Sequence, residues 1–104
     1  MAIAIEIDRE RIAGFCRKWR ITEFCLFGSV LRDDFRPDSD VDVMVSFAPE
    51  VHIALRELAE MDRELRDIFG REVDFVERQA IEQSPNYIRR RHVLANLETI
   101  YAAG

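Results

Sequence analysis

Five aspartates fall within ten residues, at Asp33, Asp34, Asp38, Asp40 and Asp42, and the last two alternate with valine in the run DVDVMVSF. Residues i and i+2 of a strand face the same way, with Cα atoms about 6.5 to 7 Å apart at a rise of about 3.3 Å per residue. Asp40 and Asp42 therefore project together from what reads as the exposed start of a buried strand. Two such carboxylates in a partly desolvated cleft repel unless a cation lies between them. Mg²⁺ suits the pair, because it prefers hard oxygen ligands and is usually held by one or two carboxylates plus substrate phosphates. Asp74, inside VDFV, is a third acid where packing alone favours an aliphatic residue. If its strand lies beside that of Asp40 and Asp42, three carboxylates converge, enough for two ions about 3.5 to 4 Å apart.

Upstream, Gly28 and Ser29 stand at a strand-to-helix junction. Backbone N–H groups and the helix dipole favour an anion there, and glycine permits its close approach. A phosphate site would then lie beside a metal site. Neither feature is specific alone: carboxylates at a strand mouth are often only solvated or capping groups, and Gly-Ser commonly marks a plain turn. The coincidence of both within fifteen residues, 28 to 42, carries the weight. A calcium loop beginning at Asp38 is set aside. Its sixth position requires glycine and holds Val43, and its twelfth requires glutamate and holds Pro49.

These side chains need elements to hold them. Asp8 can cap a helix whose Ile12, Phe15, Cys16 and Trp19 share one side and which ends near Arg20. The apolar stretch 23–28 reads as a buried strand, and Ser29 as the cap of about two helical turns stopped by Pro37. A strand over 40–47 precedes a helix over 50–69, with Val51, Leu55, Leu58, Met61, Leu65 and Ile68 at helical spacing and Gly70 at its end. A third strand spans 71–77. After Pro85, Ile88, Val93, Leu94, Leu97 and Tyr101 form the stripe of a final helix. Alternating helices and strands imply an α+β or α/β-like fold, a small sheet of about three core strands with helices packed against it.

At 104 residues, with 48% hydrophobic and 34% charged, residues 1–104 read as one globular domain with no room for a separate substrate domain. The first residues lack a basic segment and carry Glu6 and Asp8, and no apolar run approaches the roughly 20 residues that span a bilayer. A cytoplasmic protein without membrane contact is expected. A net charge of −5 argues against direct nucleic-acid binding, although all but one of the fifteen basic residues are arginine, a type suited to bidentate contacts with phosphate or carboxylate. Cys16 and Cys25 are expected to be reduced, packed thiols. His52 and His92 match no ligand pattern and read as surface or packing residues. The run Arg89, Arg90 and Arg91 reads as a solvated face, with contact to a phosphate or an acidic partner as the alternative.

Gly28-Ser29-Val30-Leu31-Arg32, then Ser39-Asp40-Val41-Asp42 and the later Asp74, together resemble the minimal nucleotidyltransferases of the polymerase-β-like superfamily. The resemblance extends over most of the chain, through FGREVDFV and the closing SPNYIRRRHVLANLETIYAA. It implies a small mixed sheet flanked by helices, the nucleotidyltransferase fold, and Mg²⁺-dependent transfer of AMP from ATP to an acceptor hydroxyl. By the same resemblance Asp40 and Asp42 hold two Mg²⁺ ions, Asp74 completes the catalytic-metal site and helps activate the nucleophile, and Gly28, Ser29 and Arg32 bind the triphosphate. Asp33 departs from the family pattern, which has glycine there. Proteins of this type resemble antitoxins that adenylylate a tyrosine of a HEPN-domain ribonuclease toxin, an acceptor that brings its own surface. Two other readings use the same fold or the same acids. One is a catalytically weak antitoxin that binds its toxin stoichiometrically. The other is a two-metal nuclease, which has no use for a Gly-Ser triphosphate site and is disfavoured by the negative charge.

Overall fold

The computed structural model of this chain describes residues 7–31 and 40–103, Ser29 by its backbone alone. Helix α1, Arg9–Trp19, starts where Asp8 accepts a hydrogen bond from the Arg11 N–H at 3.1 Å, and it buries Ile12, Phe15, Cys16 and Trp19. It stops at Arg20, whose φ of 57° is left-handed and whose N–H bonds back to the Cys16 carbonyl. Strand β1, Ile21–Phe27, begins two residues before the expected start, because Ile21 already pairs with Phe47 ahead of a bulge. A single 3-10 turn, Gly28–Leu31, follows. The remainder of the expected helix after Leu31, together with Arg32, Asp33, Asp34, Pro37 and Asp38, lies outside the described residues.

Strand β2, Val41–Phe47, leads through residues 48–54 into helix α2, Leu55–Phe69. The helix was expected from residue 50, but Pro49 and the extended Ala54 delay it, and the Glu57 carboxylate accepts the Ala54 N–H at 2.9 Å to cap the start. It closes on Gly70, whose φ of 69° is the left-handed conformation that favours glycine. Strand β3, Val73–Glu77, then runs parallel to β2 and passes into a short helix, α3, Arg78–Glu82. Helix α4, Tyr87–Ala95, is capped by Asn86, which accepts the Arg89 N–H at 3.1 Å.

The last helix ends earlier than its apolar stripe suggests. Asn96 breaks it, its side chain donating to the His92 carbonyl at 2.8 Å. Residues Glu98–Ala102 form a fourth strand, β4, antiparallel to β1. Leu97 therefore lies just ahead of the strand and Tyr101 within it, each packed against a different hydrophobic cluster, and Ile88, expected in the stripe, is 80% exposed. The physical reason is the open edge of β1: without β4 its backbone groups would lack a ladder partner, and Thr99, Ile100 and Tyr101 are strand-favouring types.

The sheet is mixed, in the order β3-β2-β1-β4, with β2 and β3 parallel and the other pairs antiparallel. Its two faces bury separate cores. Val41, Val43 and Val45 join Phe24 and Leu26 under α1 and α2, where Phe15 meets Phe24 edge-on at 6.3 Å. Met44 joins Cys25 and Phe27 under Ile81 of α3 and Val93 of α4. Both cysteines are free and buried as expected. Burial pushes the Cys16 thiol up to about 12, against a small opposing pull from Arg17, and raises Cys25 as well. Lys18 donates to Glu64 at 2.6 Å and the Trp19 ring N–H to the same carboxylate at 3.2 Å, which ties α1 to α2. No helix among the described residues is long and apolar enough to cross a membrane.

Candidate active site

Strand alternation and register decide where the acids go. Met44 faces the smaller core, so Asp42, two residues earlier on β2, faces the same way. Asp42 pairs in register with Phe27 of β1 on one side and with Asp74 of β3 on the other. Val76 packs with the same small core, so Asp74, two residues before it, shares that face too. The carboxylates of Asp42 and Asp74 thus rise from neighbouring strands about 4.8 Å apart. Asp40 lies just ahead of the ladder, whose first bond runs from the Val41 N–H to the Glu72 carbonyl at 3.0 Å.

Exposure rises along this row. Phe27 is 9% exposed, Asp42 is half-buried, and both Asp74 and Asp40 are exposed. The row therefore has an apolar wall at one end and open solvent at the other. One row further into the sheet, Val76, Met44, Cys25 and Thr99 lie in register and are covered from Ile81 and Val93, with the Cys25 sulfur 3.6 Å from the Thr99 hydroxyl. That packed row is the floor beneath the acids.

Gly28 completes the arrangement. It follows Phe27 directly, with φ of 76°, and a Cβ built on it would overlap the Asp42 carboxylate oxygen and lie 3.2 Å from its carboxyl carbon. The glycine is thus required twice, by its own backbone and by the acid above it. The 3-10 turn that begins here brings the backbone of Ser29 to the same end of the sheet. The Ser29 side chain and all of Arg32 lie outside what is described.

The donor set fits a hard divalent cation. Among the described residues no three His, Cys, Asp or Glu side chains are drawn together as a ready metal cage. Mg²⁺ does not need one, since it keeps waters and takes its remaining ligands from phosphates. Asp42 is half-buried and Asp74 and Asp40 are exposed, so the acids stand open to such partners on the solvent side.

Sequence reasoning overlooked the other end of the same face. Arg78, the first residue of α3, donates to Glu23 of β1 at 2.7 Å and to Glu82 at 3.2 Å, and these carboxylates hold its guanidinium more firmly protonated. This clamp fixes α3 across β2 and β1 and so supports the covering of Met44 and Cys25. Only the strand register could have exposed it, because Glu23 and Arg78 are 55 residues apart in the chain. His52 and His92 are exposed, in keeping with the surface role expected of them.

Comparison with known proteins agrees with this geometry. A family model described as a nucleotidyltransferase domain matches residues 9–95. A chain of Methanocaldococcus jannaschii named as a candidate protein adenylyltransferase is 28% identical over 76 residues, which are 73% of this chain and 76% of that one. A solved structure of a candidate minimal nucleotidyltransferase superposes with a TM-score of 0.66 at 29% identity, covering 86% of both chains. A complex of the tri-AMPylated HEPN toxin of Shewanella oneidensis with its MNT antitoxin superposes with a TM-score of 0.61 at 18% identity, over 91% of this chain and 70% of that one, a likeness of fold. With acids in register at one end of a mixed sheet and a glycine turn beside them, the chain belongs to the nucleotidyltransferase-domain family and is a minimal nucleotidyltransferase.

Proposed function

We propose that this nucleotidyltransferase moves AMP from ATP to a tyrosine hydroxyl of a HEPN-domain ribonuclease toxin and acts as its antitoxin. The observation that carries the reading is the in-register pair Asp42 and Asp74 with Gly28 against the first of them. The likeness to an AMPylated toxin–antitoxin complex supports the choice of acceptor.

In this reading Asp40, Asp42 and Asp74 hold Mg²⁺, with Gly28, Ser29 and Arg32 on the triphosphate. The bound metal supplies charge neutralisation on the phosphates and lowers the pKa of the attacking hydroxyl. Gly28 has no Cβ to push the Asp42 carboxylate out of its row, and the turn it begins carries the Ser29 backbone to the same end of the sheet, where its N–H can meet a phosphate. The acceptor oxygen attacks the α-phosphorus, the bond from that phosphorus to the bridging oxygen breaks, and pyrophosphate leaves with the bonding pair. Asp74, exposed on the outer strand β3, is open to an arriving acceptor and takes up the hydroxyl proton. Phe27 and Met44 fix the other side of the row, so the acids are held by a packed floor.

The test is to incubate the protein with ATP, Mg²⁺ and a HEPN-domain toxin, then weigh both chains. A partner heavier by one or more AMP groups, with no gain when Asp42→Asn replaces the wild type, supports the transferase. An unmodified partner in a tight complex would instead identify an antitoxin that works by binding alone.

A further inference from the structure

Helix α4 has two apolar faces and uses one. Val93 and Leu94 point into the smaller core, whereas Tyr87 and Ile88 are 58% and 80% exposed. Tyr87, Ile88, Arg91, His92, Ala95 and Asn96 line a surface hollow of about 350 Å³. No acid is among them. Arg90 is committed to the fold, donating to the carbonyls of Glu82 and Ser84 at 3.4 and 3.3 Å and lying 5.4 Å from the Tyr87 ring. Arg89 and Arg91 are exposed, and among the described residues neither forms an ion pair. A basic rim around an exposed isoleucine is opposite in sign to the chain, whose net charge is −5.

We propose that this face of α4 docks an acidic amphipathic helix of a protein partner. Its apolar side chains enter the hollow over Ile88 and Ala95, and its carboxylates meet Arg89 and Arg91, which suit bidentate pairing. A nucleic-acid backbone would leave the exposed Ile88 unused. Because α4 packs on the sheet face that carries Asp42 and Asp74, a partner held here sits on the side of the sheet where transfer takes place. That the partner is also the acceptor rests on the function proposed above; the docking does not.

The test uses the full chain and a fluorescein-labelled 18-residue helix with leucine at i, i+3, i+4 and i+7 and glutamate elsewhere, followed by fluorescence anisotropy. Binding is expected to weaken at least tenfold in Ile88→Glu with Arg91→Glu, to weaken as salt is raised, and to persist in Leu55→Glu, which alters an exposed leucine on another helix. A circular-dichroism spectrum and melting midpoint like those of the wild type show that the double variant is folded. Equal binding by the double variant, equal binding of a leucine/lysine counterpart helix, or preference for transfer RNA overturns the proposal. A dimer in sedimentation that the double variant dissociates also overturns it, since a second copy would then be the occupant. Failure of AMP transfer in the mass experiment with peptide binding intact would count against the function and leave the docking standing.

Discussion

Gly28 and Asp42 occupy space that only a glycine can share: a Cβ at residue 28 would overlap the Asp42 carboxylate, on a backbone whose φ is 76°. Two costs follow from one methyl group. A left-handed conformation costs an L-residue about 1 to 2 kcal/mol, and the Asp42 carboxylate must swing away from its row. Gly28→Ala is therefore expected to lose about 1 to 2 kcal/mol in chemical denaturation and at least tenfold in transfer rate, the larger loss being in rate. Unchanged transfer by a folded Gly28→Ala protein would mean that the position of Asp42 is not critical.

The in-register pair Asp42 and Asp74 should make stability depend on Mg²⁺ and nucleotide. Ligand at a hundredfold excess over its Kd stabilises the folded state by about 2.7 kcal/mol. A melting series with Mg²⁺ and a non-hydrolysable ATP analogue is expected to raise the Tm of the wild type and to leave Asp42→Asn with Asp74→Asn almost unmoved. Equal shifts in both would place the ligands elsewhere.

Met44 lies fully buried in the row beneath the acids, between Cys25 and Val76 in register. Met44→Ala should destabilise by about 2 to 5 kcal/mol, the range for large-to-small substitutions in packed cores. Transfer should fall as well, because Asp42 stands two residues away on the same strand face. A denaturation curve and a rate on the folded fraction separate the two effects.

Alkaline pH should weaken the fold. The Cys16 thiol is pushed up to about 12 from 9.0 by burial, so in the unfolded chain it gives up its proton well before it can in the folded one. Its contribution is intact below about pH 9 and is lost as pH rises toward about 12. Cys25 and Lys18 act in the same direction, Cys25 through burial and Lys18 through its hydrogen bond to Glu64. Urea midpoints are expected to fall between pH 7 and pH 10, and to fall less in Cys16→Ala.

The faces of Asp42 and Asp74 were legible because strand alternation is strictly periodic: Asp42 between Val41 and Val43, and Asp74 inside VDFV, admit few other placements. Helices α1 and α2 were equally readable from their buried spacing, and the start of α2 was misjudged only where Pro49 and Ala54 hold the chain extended. The end of the chain was not legible. Leu97 and Tyr101 satisfy a helical stripe as well as they satisfy a strand, and the contest is settled by the vacant edge of β1, 70 or more residues earlier in the chain. The Arg78–Glu23 clamp was hidden for the same reason, since a cross-sheet contact leaves no local periodicity. The outward face of α4 was half visible, as an arginine run, but its exposed Ile88 appears only once the helix is docked.

The most direct test of the account follows the phosphate label. The protein is incubated with its acceptor, Mg²⁺ and ATP labelled either at the α- or at the γ-phosphate. The α-label is expected on the acceptor, the γ-label is expected to leave as pyrophosphate, and Asp42→Asn is expected to lower α-label transfer at least a hundredfold while remaining folded. Transfer of the γ-label, or equal α-label transfer by Asp42→Asn, would contradict it.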